Sequence, residues 1–387
     1  PALLKLAALK QLDGDEAGML EYLERGMETN PNATQPRLVL ARYYLSKGRP
    51  EKVAVVLSGL QEGSENAEVL HVAGLAQLAE EDYHSAQVSF DKLLQLKPGA
   101  AAGHYLLARA HEGAGRHEFV EAGLHKAIEL APDYIEPRVA LARLSLKKKD
   151  TKTFEEQLER LEILAPQSPV IWSLQVARAK LKDDKPGELA IYEKAFQQLP
   201  STSTMLSLAG QKLSRGDTRG ARDLYQSWIA GNPKDVAARL ALANMQVKEG
   251  DTGLAVAQYQ RVLSIEANNL VALNNLAWFL RNSNAKQALE YAQRAVEVDG
   301  EAAAIQDTLA MALLADGQFN EAKRAIARAL GKTPDNDSMR YHRVLINLAL
   351  DQRSSATSEL RRLLKSEQQF SERGEAEVLM RRLSSSD

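Results

Sequence analysis

The chain has 387 residues, 49 of them basic and 51 acidic, for a formal net charge of −2. With charge so balanced and no long run of either sign, it lacks the concentrated basic face that nucleic acid requires; with no cysteine it offers no thiol nucleophile, zinc knuckle or disulfide. No apolar run approaches the roughly 20 residues that cross a bilayer, and aromatics are only 5%, which suits a thin core of helix pairs better than one large globule.

The sequence opens at Pro1 with Leu3, Leu6 and Ala7 already in helical phase. It reads as a piece cut at a repeat boundary from something longer, with any targeting segment upstream. Pro98, Pro132, Pro166 and Pro200 then stand 34 residues apart, and Pro31, Pro233 and Pro334 fall in the same phase. Each follows a stretch that reads as the end of a helix, which a proline stops because it has no N–H to donate. Eleven units result, ending near residues 33, 66, 100, 134, 168, 201, 235, 269, 302, 336 and 369.

Inside the units, a small residue in the first helix recurs as Ala41, Gly74, Ala108, Ala142, Ala209, Ala243, Ala277 and Ala310. A second small residue follows in the second helix as Ala86, Ala221, Ala255, Ala288 and Ala322, with bulky partners such as Phe90, Tyr225, Trp228 and Tyr259 beyond it. Small against large lets helices nest closely. Between the two helices Gly48, Gly115, Gly216, Gly250 and Gly317 are placed for the left-handed turn that ends a helix. Repeats five and six, residues 135 to 201, depart from this pattern. They carry Phe154 and Glu188 in the alanine position and Lys149 and Asp183 in the glycine position, and are expected to pack less regularly and open first. Pro186 falls where a second helix tolerates it, in the first turn. Ser371 is the expected N-cap of a last helix, about 371 to 383, with Ala376, Leu379 and Leu383 at helical spacing and Arg381 and Arg382 outward. It is expected to close the array, with the true C-terminus just beyond it.

A 34-residue period with a helix–turn–helix inside it resembles the tetratricopeptide repeat. The implied fold is all-α: a right-handed superhelical solenoid of about eleven such units over residues 1–370, with a capping helix and short polar tail over 371–387. The last third carries a narrower likeness. In order come Ala272-Leu273-Asn274-Asn275-Leu276-Ala277-Trp278, Ala288-Leu289-Glu290-Tyr291-Ala292, Asp307-Thr308-Leu309-Ala310, Arg340-Tyr341-His342, and Phe370-Ser371-Glu372-Arg373 with Glu375-Ala376. This set resembles the end of the repeat lipoproteins of exosortase (PEP-CTERM) exopolysaccharide systems, although Ala310 and Met311 stand where that family usually has glycine and tryptophan. The resemblance implies a periplasmic scaffold tethered to the outer membrane through an upstream lipid-bearing cysteine, serving polysaccharide synthesis and export.

Catalytic patterns are lacking. His111-Glu112 and His117-Glu118 imitate the start of a zinc-protease motif, but the histidines are six apart where the motif needs four. His104 and His111, seven apart on one helix face, read as ordinary surface and groove histidines rather than metal ligands. The expectation is a non-enzyme without metal or cofactor. Its working surface is the concave face lined by the first helices, where the second, fifth, ninth and twelfth residues of a unit point. Arg42, Tyr105, Arg109, Glu112 and Arg143 fall there early, and Asn274, Trp278, Arg281, Asp307 and Tyr341 late. Arginine beside tyrosine or tryptophan is the composition of binding hot spots and of surfaces that hold carboxylates or stack on sugars. A protein or peptide partner in this groove is the first reading. A cytosolic adaptor or co-chaperone-like module that captures peptide tails is the alternative, and direct binding of exopolysaccharide a third. Nucleic acid is not an expected partner.

Overall fold

The structure, a computed structural model, describes residues 2–58, 60, 66–365 and 369–384. Among these it forms twenty-three α-helices and no strand. The helices come in antiparallel pairs whose boundaries follow the proline period. The first pairs are Ala2–Leu12 (α1) with Glu16–Thr29 (α2), Thr34–Ser46 (α3) with Glu51–Leu57 (α4), and Ala67–Ala79 (α5) with Tyr83–Leu96 (α6). Next come Ala101–Gly113 (α7) with His117–Leu130 (α8), Ile135–Lys148 (α9) with Thr151–Leu164 (α10), and Pro169–Leu181 (α11) with Lys185–Gln198 (α12). Then follow Thr202–Ser214 (α13) with Thr218–Gly231 (α14), Val236–Glu249 (α15) with Thr252–Ile265 (α16), and Leu270–Leu280 (α17) with Ala285–Asp299 (α18). Ala303–Ala315 (α19) with Phe319–Lys332 (α20) and Asp337–Ala349 (α21) with Arg353–Lys365 (α22) complete the pairs, and Arg373–Ser384 (α23) stands alone at the end. The helices group into two compact units, one up to Ile191 and one from Tyr192 onward.

Several pairs share one local chemistry. An aspartate before the second helix accepts the N–H three residues on, Asp15 from Gly18, Asp82 from Ser85, Asp150 from Thr153 and Asp217 from Gly220, so a donor the helix cannot satisfy finds a partner. The connecting glycines 48, 115, 216, 250 and 317 take φ between 67° and 85°. Lys149 and Asp183 adopt the same left-handed turn at 61° and 49°, where a Cβ costs roughly 1–2 kcal/mol. Repeats five and six thus keep the turn and carry its strain. The alanines at 41, 108, 142, 209, 243, 277 and 310 are all 1% exposed or less, and those at 86, 221, 255, 288 and 322 are fully buried. At Gly74 even a methyl is excluded, since its Cβ would lie 2.6 Å from the Phe90 ring.

One further device recurs. Near the start of a first helix, a side chain reaches back to the carbonyl six residues before it: Arg37 to Pro31, His104 to Pro98, Arg138 to Pro132, Arg239 to Pro233, and Gln306 to Gly300. These bonds pin the start of a first helix to the loop that precedes it. Arg138 and Arg239 extend the link to Gln157 and Gln258 on the second helix of the same pair.

Repeat five is regular after all. Phe154 is fully buried among Val139, Ala142, Leu158, Leu161 and Ile171, so its bulk fills the space that alanine and a larger neighbour share elsewhere. Repeat six differs. Its α12 buries only Ala195, and Glu188, in the alanine position, holds a carboxylate with 12% side-chain exposure 3.7 Å from Lys180 Nζ. A largely desolvated charge cannot close a helix pair as a methyl does. At the far end, Ala376 of α23 is buried with Tyr341, Val344, Ala356, Leu360 and Leu363, which covers the last pair. This helix starts one residue later than Ser371 would cap it: the Arg373 N–H donates to the Phe370 carbonyl, a turn that runs through Ser371 and leaves Glu372 at the cap. Residues 385–387 of the expected tail lie outside the described residues.

Candidate functional site

Within each unit, first helices of successive pairs lie side by side, α5 against α7 and α9 against α11 in the one, α13 against α15 and α17 against α19 in the other. In the first unit this face is open. Arg109, Glu112 and Arg143 are exposed and make no hydrogen bond or ion pair among the described residues. Tyr105 is half-buried and meets Tyr134 edge to face at 5.5 Å. Burial raises both phenols above their ordinary pKa, and among the charges that act on Tyr105 are Arg109, Glu136, Glu112 and Arg143. The sequence-predicted residues of repeats four and five are thus brought together, with Tyr134 and Glu136 added by the structure. Arg42 lies apart and bridges Glu68 at 3.3 Å. It faces His71, whose imidazole is pushed below its usual pKa by burial and then by the Arg42 charge.

In the second unit the predicted residues engage one another. The Arg281 guanidinium sits 3.7 Å from the centre of the Trp278 ring and donates to the Trp278 carbonyl, a cation–π contact strengthened by desolvation. Burial lowers the Arg281 pKa, while Glu375, Glu372 and Asp307 act against that shift; a guanidinium stays charged regardless. Asp307 is bound to His342 Nδ1 at 2.8 Å, and His342 Nε2 faces Glu372 Oε1 at 3.9 Å. His342 also packs against Trp278, ring centres 5.5 Å apart. Asn274 Oδ1 and Glu372 Oε2 are buried acceptors without a donor. Tyr341 must be corrected: at 4% exposure it belongs to the core, packed against Phe370, because helical spacing turns the neighbouring His342 toward Asp307. His342 and Glu372 are the residues that site reasoning missed. Their signal was their membership of the ordered C-terminal motifs.

His104 and His111 do not form a pair. His104 Nε2 is 2.9 Å from the Pro98 carbonyl, doing the work that arginine does in other repeats, and His111 packs on Phe119 at 5.0 Å. No group of three or more histidines and carboxylates among the described residues is placed to hold a metal.

Residues 5–130 match the family Protein kinase G tetratricopeptide repeat, and residues 208–269 and 308–369 match the family Tetratricopeptide repeat. The chain is a tetratricopeptide-repeat protein. No curated protein matches it. Among solved structures, a tetratricopeptide repeat protein from Parabacteroides merdae ATCC 43184 is similar with a TM-score of 0.44 at 15% identity, over 51% of this chain and 79% of that one. MamA from Desulfovibrio magneticus RS-1, residues 41 to the end, gives 0.40 at 20% identity over 43% and 96%. The Cut9–Hcn1 hetero-tetramer of APC/C gives 0.39 at 13% identity over 99% and 96%. Scores this low bear on no particular function. As a tetratricopeptide-repeat protein the chain is a protein-interaction scaffold, and no helix among the described residues is long and apolar enough to cross a membrane.

Proposed function

We propose that this tetratricopeptide-repeat protein holds acidic or aromatic segments of protein partners on the open face of repeats four and five, and that it serves exopolysaccharide synthesis and export from the periplasmic side of the outer membrane. The observation that carries the first part is the unengaged pair Arg109 and Arg143 beside half-buried Tyr105. Guanidinium groups not spent on neighbours can take carboxylates bidentately, and a half-buried tyrosine gives an anchor at low entropic cost. The second part rests on the ordered C-terminal motifs, and it is supported by their meeting in space: Trp278, Asp307, His342 and Glu372 come from four motif pieces and, with Arg281, form one cluster. Direct stacking of sugar on Trp278 is disfavoured, because Arg281 and His342 already occupy the indole.

A photo-crosslinking amino acid placed at position 112, exposed on the same face, in the native host should capture polysaccharide-assembly proteins of the envelope. The same probe at exposed Glu129 on α8 should not. Arg109→Glu with Arg143→Glu should abolish the capture while leaving the circular dichroism unchanged. Fractionation of the probe-bearing protein to the cytosol would overturn the periplasmic role, and capture that survives the double reversal of charge would overturn the binding face.

A further inference from the structure

Away from the faces just described, α20, α21 and α22 line an open polar cavity of about 580 Å³, within the roughly 300–1,000 Å³ of small-molecule sites. Two ridges form its walls. Arg340, Arg343 and Asn347 follow one another at helical spacing on α21, and Ser355, Ser358 and Arg362 do so on α22. Lys323 of α20 closes a third side. Four cations therefore face two carboxylates, Asp337 and Glu359, and the cavity is net positive.

Part of this charge is spent internally. Glu359 is held by Arg343, with Nε 3.1 and 3.0 Å from its two oxygens. Asp337 Oδ1 accepts from Arg340 Nη1 at 3.1 Å, and Lys323 donates to Gln352 at 2.9 Å. The rest is unspent. Arg362, Ser355 and Ser358 have no partner among the described residues, and Asp337, only 6% exposed, keeps Oδ2 buried with no donor. A buried acceptor left unmatched costs about 1–3 kcal/mol, so a cavity shaped for stability alone would close it. The lining lacks two things at once: negative charge opposite Arg362, and a hydroxyl donor for Asp337.

We infer that this cavity binds a hydroxylated anion, a sugar acid or sugar phosphate. Its charged group is taken by Arg362 with the hydroxyls of Ser355 and Ser358, and a sugar hydroxyl donates to Asp337 Oδ2. The inference rests on the cavity and not on the role proposed above. Isothermal titration of the full chain with D-glucuronate, glucose 6-phosphate, D-glucose and inorganic phosphate tests it and separates the two sources of charge. One or both sugar anions should bind roughly tenfold or more tightly than glucose or phosphate alone, the worth of one charge-assisted contact. Arg362→Ala and Ser358→Ala should each weaken that binding several-fold, and Arg361→Ala, exposed on the same helix outside the cavity, should not. Absence of binding by both sugar anions, equal binding of glucose or phosphate, or an Arg362→Ala protein that binds as the wild type does would overturn it.

Discussion

Asp235 ties three helices of the second unit with one carboxylate, and its removal should be the most damaging single polar change there. Oδ2 accepts from Thr202 Oγ1 at 2.6 Å and from Trp228 Nε1 at 2.7 Å, while Oδ1 caps α15 through the Ala238 N–H at 3.0 Å. Asp235→Ala loses the cap, worth about 1 kcal/mol, and two bonds to a charged acceptor, about 1.5–3 kcal/mol each. Since the three share one side chain and do not add fully, about 3–5 kcal/mol is expected, part of it from a Trp228 N–H left unsatisfied. Trp228→Phe, which removes donor and bond together, should cost about 1–2 kcal/mol. Urea denaturation with hydrogen exchange on α13 to α15 reads both. Burial works against ionisation of Asp235, but the bonds from Thr202, Trp228 and the backbone outweigh it and hold the carboxyl below its usual pKa. A depressed carboxyl stabilises the fold fully above its unfolded value, about 3.9, and the contribution is lost as pH falls through the lower folded value. Wild type should therefore lose this increment below about pH 4, whereas Asp235→Asn should lack it at every pH. An Asp235→Ala protein destabilised by less than about 1 kcal/mol would refute the idea that this carboxylate is a structural node.

Gly74→Ala should destabilise the third repeat by about 1–3 kcal/mol, since the Phe90 ring must yield to a Cβ 2.6 Å away; an unchanged melting temperature would show that the ring moves freely. His342→Ala should strand the Asp307 carboxylate in a buried site and cost about 3 kcal/mol, read as faster hydrogen exchange in α23, with His342→Gln restoring part of the loss by donating to Asp307. Exchange protected as in wild type would mean that the cluster does not hold α23. Nearest-neighbour coupling lets a weak unit of an array open locally, so amides of α12, which buries only Ala195, should exchange faster than those of α19, buried continuously from Ile305 to Leu313. Equal protection of the two helices would contradict this.

The helix boundaries were legible because proline, alanine and glycine each mark a steric requirement of the backbone, and a period repeated eleven times averages out local exceptions. Where one position was judged alone, the reading was poorer. Phe154 looked like a fault because alanine was taken as required, when what the site requires is a filled volume. Glu188 was a fault in earnest, since no rearrangement of neighbours turns a carboxylate into a methyl. On the faces, the unengaged Arg109 and Arg143 were found by counting positions, as side chains at a helix surface follow its geometry. Tyr341 was misplaced by the same count: one step in register separates it from His342, and 100° around a helix separates core from face. The link from Arg37, His104, Arg138, Arg239 and Gln306 to the preceding loop escaped notice because it is shared by the geometry of a donor at one reach, not by residue type.

The continuous burial of α19 limits what the second unit can accept. The end of α17 is already filled by Trp278 and Arg281 with His342 against them, so a guest chain laid across the first helices of that unit has only α13, α15 and the start of α17 as rungs. At about 8–10 Å between neighbouring axes, three rungs span about 16–20 Å, which an extended strand covers in about five or six residues. Longer ligands must bend away there, and peptides trimmed below that length should begin to lose grip.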